Sequence, residues 1–198
     1  MDAIFKIDFM DSTIFEKLLL NKQISFNNGS IYLMSNRKIL IDAEVFSELI
    51  LLVNNSEDMA HKLYYSIKTT FMNGAAKNMG INFSFDFNNY FKWLTDIAML
   101  EGWGKFEWHL LDKEKKNGVI IIENSAVASQ LKGRTTIPCD HIVRGLIAGG
   151  ASISLKDDID AFEEECMALG DPKCKIIFKP SKDFKNNLKF KSQLYVSE

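Results

Sequence analysis

Apolar residues in the first half of the chain recur every three or four positions, which is the spacing of amphipathic helices. The clearest helix begins after Ser56, whose hydroxyl can cap its first turn. Its predicted apolar stripe consists of Ala60, Leu63, Tyr64, Ile67, Phe71, Ala75 and Met79. Two further helices are predicted over residues 42–53 and 88–101.

Alternation of apolar and polar residues predicts strands on both sides of these helices. The segment 24–41 contains Asn28-Gly29, a strong hairpin signal, and a second turn near Ser35 leads to Ile39–Ile41. A second hairpin is predicted over residues 105–122, where large apolar side chains alternate with charged ones.

The last third of the chain predicts a helix followed by two strands. The helix is expected over residues 139–151, and Gly145 and Gly149 on one of its faces predict close packing on the sheet. Strands are expected at residues 158–167 and 174–178. Strands, helices and hairpins in this order predict an α+β fold, an antiparallel sheet with a helical layer, rather than alternating βαβ units.

The chain shows no composition break that would mark a linker, so we expect a single domain over residues 1–198. Within it we predict an N-terminal extension (1–23), a core (24–179) and a basic tail (180–198) with a solvated surface.

Composition and charge exclude several classes of protein. Hydrophobic residues make up 46% of the 198 residues and charged residues 25%, the balance of a soluble globular protein. The net charge of −2 gives no basic field for nucleic acid. No apolar run is long enough for a membrane span, and Met1–Met10 resembles neither a signal nor a transit peptide. We therefore expect a cytoplasmic protein.

The three cysteines all follow residue 138, and their number argues against a disulfide scaffold. Cys166 and Cys174 flank the turn-forming sequence Gly170-Asp171-Pro172, so a hairpin would bring their sulfurs together. Cys139 lies at a helix start, where the dipole lowers a thiol pKa. With a carboxylate from residues 163–165, these thiols could form a tetrahedral zinc site. Three small buried hydrophobes, or a Cys166–Cys174 disulfide, remain alternatives.

Two stretches resemble a known family. CDHIVRGLIAGG (139–150) and EEECMALGDPKCKIIF (163–178) are similar to the 4-vinyl reductase domain, also described as a hydrocarbon-binding domain. The resemblance implies the α+β ligand-binding fold of NO-signalling and Golgi-transport proteins, which commonly dimerises through its helices. It also implies a structural zinc ion as cofactor, with Cys139, Glu163, Cys166 and Cys174 as ligands.

Strand geometry raises a question about the carboxylate ligand. In a regular strand Glu164, and not Glu163, shares a face with Cys166. Glu163 can bind the metal only if a bulge or turn lies between it and Cys166, and Glu164 is the alternative ligand.

Aromatic residues are dense before residue 108, and they predict either a filled core or the wall of a pocket for a hydrophobic or aromatic ligand. Most of them suit a core. Trp93 lies off the main apolar stripe of its helix, and Trp103 follows the predicted helix stop at Gly102. The residues proposed to bind a ligand are Trp93, Trp103, Tyr90 and Phe91.

These observations favour a non-catalytic domain that binds a small hydrophobic ligand as a sensor or carrier, acts as a homodimer and signals through a separate output protein. An assembly or scaffold subunit, similar to trafficking-tether proteins, is the alternative. A reductase acting on a vinyl tetrapyrrole is a third hypothesis, although the sequence has no nucleotide-binding motif.

Overall fold

The computed structural model describes residues 16, 18, 20–33, 36–79, 87–184, 190 and 192–194, and only the backbone at 75–79 and 87–89. The chain divides into two compact units, Met1–Ile41 and Asp42–Glu198. This division does not coincide with the boundaries predicted after residues 23 and 179. The single-domain organisation stays a prediction.

The described part of the first unit contains a three-stranded antiparallel sheet. Its strands are β1 (Ile24–Asn27), β2 (Ser30–Leu33) and β3 (Asn36–Lys38). Asn28 and Gly29 both have positive φ values, 47° and 72°, as the tight turn of a two-residue hairpin requires. The predicted hairpin is therefore confirmed, but the third strand precedes Ile39–Ile41 instead of containing them.

The second unit has five helices and four strands among its described residues. The helices are α1 (Ala43–Asn54), α2 (Glu57–Met79), α3 (Phe87–Leu100), α4 (Ala126–Gln130) and α5 (His141–Leu155). The strands are β4 (Lys105–Asp112), β5 (Asn117–Glu123), β6 (Ile159–Glu165) and β7 (Cys174–Pro180). They form one antiparallel sheet in the order β4-β5-β7-β6, and the predicted α+β class is confirmed.

Helix α5 packs between α2 and the sheet. A Cβ atom added at Gly145 would lie 2.8 Å from Ile67 Cβ, and one added at Gly149 would lie 2.8 Å from the backbone oxygen of Lys68. Both glycines thus face α2. The prediction that they pack on the sheet is wrong, because their lack of a side chain serves the contact between two helices.

Part of the predicted basic tail is buried, although Lys182 is exposed as expected of a solvated lysine. Ser181–Phe184 form a short 3-10 helix, and Phe184 is buried. Gln193 and Leu194 are only 4% and 2% exposed. Residues 185–189, 191 and 195–198 lie outside the described part of the chain.

Within the ranges that the structure describes, no helix is both long enough and apolar enough to cross a membrane.

Candidate metal centre and aromatic cluster

Four predicted ligands come from three elements that meet at one end of the sheet. Cys139 precedes α5, Glu163 lies in β6, Cys166 directly follows β6 and Cys174 opens β7. Ligand atoms of Glu163, Cys166 and Cys174 all lie within 4.8 Å of one another. Cys139 Sγ lies 3.8 Å from Cys166 Sγ. All four side chains are at most 1% exposed. The structure therefore brings the predicted set together in the interior.

A β-bulge decides which glutamate faces the thiols. The pairing of β6 with β7 shifts register between Glu163 and Glu165. The extra residue places the side chains of Glu163 and Cys166 on the same face of the sheet, whereas a regular strand would place them on opposite faces. The Glu164 carboxylate instead lies 2.7 Å from Lys175 Nζ in a half-buried ion pair. The structure thus places Glu163, and not Glu164, among the cysteines.

The turn between β6 and β7 aims Cys166 and Cys174 at each other. The Asp171 carboxylate accepts a hydrogen bond from the Cys166 backbone N–H at 2.8 Å. Gly170 has a φ of 106°, a conformation that favours glycine, at the end of a 3-10 helix over Met167–Leu169. The Met167 backbone N–H donates to Cys174 Sγ at 3.3 Å, a contact that stabilises negative charge on that sulfur.

The electrostatics of the cluster are centred on Cys166. Side-chain hydrogen bonds with Cys139 and Cys174 lower the pKa of Cys166 to about 2. The pKa values of Cys139 and Cys174 are raised, first by their hydrogen bonds with Cys166 and then by burial. The expected lowering of the Cys139 pKa by the helix start is opposed here by the hydrogen bond with Cys166 and by burial.

A polar surround that the sequence analysis missed supports the carboxylates. The Asp140 backbone N–H donates to Glu163 Oε2 at 3.0 Å, and the Ser125 hydroxyl donates to the Asp140 carboxylate at 3.0 Å. Burial raises the pKa of Glu163 well above its ordinary value, with Asp140 and Cys166 adding to the shift. Burial, followed by Cys166, raises the pKa of Asp140 to about 6. Asp140 and Ser125 carry no spacing motif that could have identified them.

His141 lies beside the cluster but has other partners. Its Nδ1 is 2.9 Å from Arg144 Nη2, and its Nε2 is 2.6 Å from Asn54 Oδ1. Since Arg144 can only donate, Nδ1 accepts and the proton is on Nε2. Burial and the Arg144 charge lower the pKa of His141 to about 3. His141 is therefore a neutral link between α5 and α1.

The donor set fits a divalent cation of the zinc type. The pKa values of Cys139, Cys174 and Glu163 are raised within the cluster, and a bound cation would favour the anionic forms of these groups. Among the described residues Glu163 Oε1 has no hydrogen-bond partner although it is buried. Zn²⁺ accepts thiolate and carboxylate ligands in a four-coordinate site, whereas Ca²⁺ and Mg²⁺ prefer oxygen alone. Cys139, Glu163, Cys166 and Cys174 would hold such an ion.

Three of the four proposed ligand-binding aromatics lie together on α3. Phe91 is fully buried and stacks on Phe178, with ring centroids 5.6 Å apart. Tyr90 stacks on the half-buried Trp93, with centroids 6.3 Å apart. Trp103 follows the helix and packs edge-on against Phe46 at 5.8 Å. The ligand-binding role of all four stays a prediction.

Tyr90 carries a buried hydroxyl that has no hydrogen-bond partner within the described part of the chain. Burial raises the pKa of Tyr90, which keeps the phenol protonated and able to donate. A Cβ atom added at Gly150 would lie only 3.3 Å from this hydroxyl, so the glycine lets the Tyr90 side chain pack closely against α5.

Comparisons with known proteins support the fold. The phenol-responsive sensory domain of the transcription activator PoxR, with phenol, is 18% identical; the match covers 89% of this chain and 94% of that one at a TM-score of 0.69. A vinyl-4-reductase family protein from Methanocaldococcus jannaschii is 14% identical, with coverages of 89% and 98% and a TM-score of 0.48. Trafficking protein particle complex subunit 3 from Naegleria fowleri, covalently bound to palmitic acid, is 12% identical, with coverages of 85% and 89% and a TM-score of 0.41.

No protein-family model matches the chain, and no curated protein matches it. The chain is thus similar in fold to a phenol-responsive sensory domain, which agrees with the predicted α+β fold.

Proposed function

We propose that this chain is a non-catalytic, small-molecule-binding domain with a structural zinc site. The observation that carries the zinc assignment is the buried cluster of Glu163, Cys166 and Cys174, whose ligand atoms lie within 4.8 Å of one another. Cys139, 3.8 Å from Cys166, is the proposed fourth ligand. Four protein ligands leave no position for a reactive water, so the ion would hold the start of α5 to β6 and β7.

Neighbouring glutamates provide a matched test of the zinc site. Glu163→Gln removes the proposed carboxylate ligand, whereas Glu164→Gln removes only the partner of Lys175. We expect purified wild type and Glu164→Gln to carry about one equivalent of zinc each, and Glu163→Gln to hold its zinc at least about tenfold more weakly. Elemental analysis after dialysis against a chelator measures this. Equal zinc retention by both variants would exclude Glu163 as a ligand.

We further propose that the ligand is hydrophobic or aromatic and carries a polar group that pairs with Tyr90. The likeness to a phenol-responsive sensory domain supports the class of ligand. The Tyr90 hydroxyl, which has no hydrogen-bond partner among the described residues, supports the polar contact. A ligand acceptor at this hydroxyl would remove the cost of burying it without a partner.

Phenol is a practical probe of this proposal. We expect phenol to raise the unfolding temperature of the wild-type protein in a concentration-dependent way, because it binds only the folded state. Tyr90→Phe should need about tenfold more phenol than the wild type for the same rise in unfolding temperature, because it loses the hydrogen bond to the ligand. Tyr32→Phe, on the N-terminal unit, is the control. No shift with phenol, fatty acids or tetrapyrroles would contradict ligand binding.

The alternative, an assembly or scaffold subunit, is favoured by one observation. Phe91 is enclosed by Phe178 and Trp108, whose rings lie 5.6 and 5.2 Å away, as in a filled core. Native mass spectrometry separates the two functions. We propose a homodimer that binds a ligand and signals to a separate output protein, so the expected species is a dimer with co-purified ligand. A larger complex without ligand would favour the scaffold.

A further inference from the structure

The proposed metal ligand Glu163 is held from outside the sheet by a residue of the chain's end. Gln193 Nε2 donates to the Glu163 backbone oxygen at 2.8 Å, and the Glu163 backbone N–H donates to Gln193 Oε1 at 3.0 Å. One side-chain amide therefore satisfies both backbone groups of a single residue. Gln193 is 4% exposed, so these bonds are shielded from water.

The position of β6 explains why this contact is needed. β6 is an edge strand of the sheet, and an edge strand leaves backbone groups unpaired. The bulge next to Glu163 further interrupts its pairing with β7. The Gln193 amide takes the place of a neighbouring strand at this one residue and fixes the backbone from which the carboxylate extends.

Phe190 and Ser192–Leu194, which we call the C-terminal strap, are anchored around this contact. The Phe190 ring packs edge-on against Phe162, with centroids 4.7 Å apart. Arg144 on α5 donates to the Gln193 backbone oxygen at 3.4 Å and to the Ala161 backbone oxygen at 3.3 Å. The strap is thus attached to β6 and to α5, the elements beside two of the proposed ligands.

We propose that Gln193 is a positioning residue of the zinc site and that the C-terminal strap is coupled to metal binding. The inference rests on the zinc site proposed above. Gln193 touches no ligand atom of the cluster and acts through the Glu163 backbone. Because coupling between two sites is reciprocal, a metal that fixes the Glu163 carboxylate also stabilises the docked strap.

Gln193→Met tests the positioning role, because methionine keeps the length and packing of glutamine but removes both hydrogen bonds. The control is Ser181→Ala, which removes a side-chain hydrogen bond to the Asp158 backbone oxygen just before β6, remote from Glu163. Competition with a chromophoric chelator gives the dissociation constant for Zn²⁺. We expect it to rise at least about tenfold in Gln193→Met and to stay within about twofold in Ser181→Ala.

The d–d bands of bound Co²⁺ provide a readout that a purely structural role would not move. A displaced carboxylate should change their energies and intensities in Gln193→Met only. If the wild type binds no Zn²⁺, the proposed zinc site is contradicted, and so is the positioning role of Gln193. If the wild type binds Zn²⁺ and Gln193→Met gives the same affinity and spectrum, only the positioning role is contradicted.

Hydrogen exchange of the wild-type protein tests the coupling without any variant. Zinc should slow exchange of the amides at residues 192–194 at least about tenfold, relative to the chelator-treated protein, because metal and strap stabilise the same backbone. Exchange in β4, on the far edge of the sheet, is the internal reference. Strap exchange that is unchanged by zinc would overturn the coupling even if Gln193→Met fails to fold.

Discussion

Single buried charges in this protein are stabilised by specific partners. Lys68 is 6% exposed, and its ammonium lies 2.7 Å from Asp158 Oδ1 and 2.8 Å from Asp160 Oδ1. The Tyr64 hydroxyl donates to the same Asp160 oxygen at 2.9 Å. Since an unpaired buried carboxylate is costly, the lysine is needed once Asp160 lies in the interior.

Two lysines on α2 allow a matched test of this point. Lys68→Met should lower the free energy of unfolding by about 3–5 kcal/mol, because it leaves Asp160 buried with Tyr64 as its remaining partner. Lys62→Met breaks an exposed pair with Asp58 and should cost less than about 1 kcal/mol. Urea unfolding measures both. Equal losses would show that burial does not set the energy of these pairs.

His61 makes stability depend on pH. Burial, reinforced by the Arg144 charge and opposed by a hydrogen bond to the Ser192 backbone, lowers the pKa of His61 below its ordinary 6.5. Above pH 6.5 the imidazole is neutral in both states, and its contribution to stability is complete. As the pH falls below 6.5 the unfolded state takes up the proton first, so stability is lost until the folded pKa is reached.

We therefore expect His61→Gln to flatten the decline of unfolding free energy between pH 6.5 and the lower folded pKa. The difference in slope should be at most about 1.4 kcal/mol per pH unit, the limit for one proton. Denaturant titrations at several pH values measure it. If the unfolding free energies of wild type and His61→Gln fall in parallel with pH, His61 has the same pKa in the folded and unfolded states.

At the scale of elements, the contact between α2 and α5 depends on glycine. A Cβ atom at Gly149 would lie 2.8 Å from a backbone oxygen, which a side-chain rotation cannot relieve. Gly74, also helical, has no atom within 4 Å of an added Cβ. The two positions therefore separate the helix propensity of alanine from its effect on packing.

Gly149→Ala should destabilise the protein by about 1–3 kcal/mol, because overpacking exceeds the gain in helix propensity. Gly74→Ala should stabilise it by up to about 1 kcal/mol, since only the propensity changes. Thermal and urea unfolding check both signs. Stabilisation by Gly149→Ala would mean that the helices can separate at little cost.

The elements were predictable where periodicity was strong. The helix after Ser56 and the strands around Cys166 and Cys174 follow from apolar spacing and turn residues. The short helix α4 could not be predicted, because five residues show little periodicity. The bulge beside Glu163 could not be predicted either, because it depends on how β6 pairs with β7. The bulge nevertheless decides which glutamate faces the cysteines.

At the scale of the whole molecule, residues far apart in sequence meet at one end of the sheet. Residue types and spacing indicated that the cysteines could form a cluster with a carboxylate from residues 163–165. The particular set Cys139, Glu163, Cys166 and Cys174 was implied by the family resemblance, and the structure places these four residues close together. The sequence did not predict the residues that support the site, namely Gln193, Asp140 and Ser125. Their hydrogen bonds go to backbone groups or to a second carboxylate, and such bonds leave no pattern in the sequence. The proposed site is therefore buried, and a metal ion held there would join the start of α5 to the β6–β7 turn.

Zinc K-edge X-ray absorption of the purified wild-type protein tests this central claim most directly. We expect one zinc per chain, with three sulfur neighbours at about 2.3 Å and one oxygen neighbour at about 2.0–2.2 Å. Glu163→Gln should alter the oxygen shell and leave the sulfur distances in place. A protein without zinc, or a metal surrounded only by nitrogen and oxygen, would contradict it.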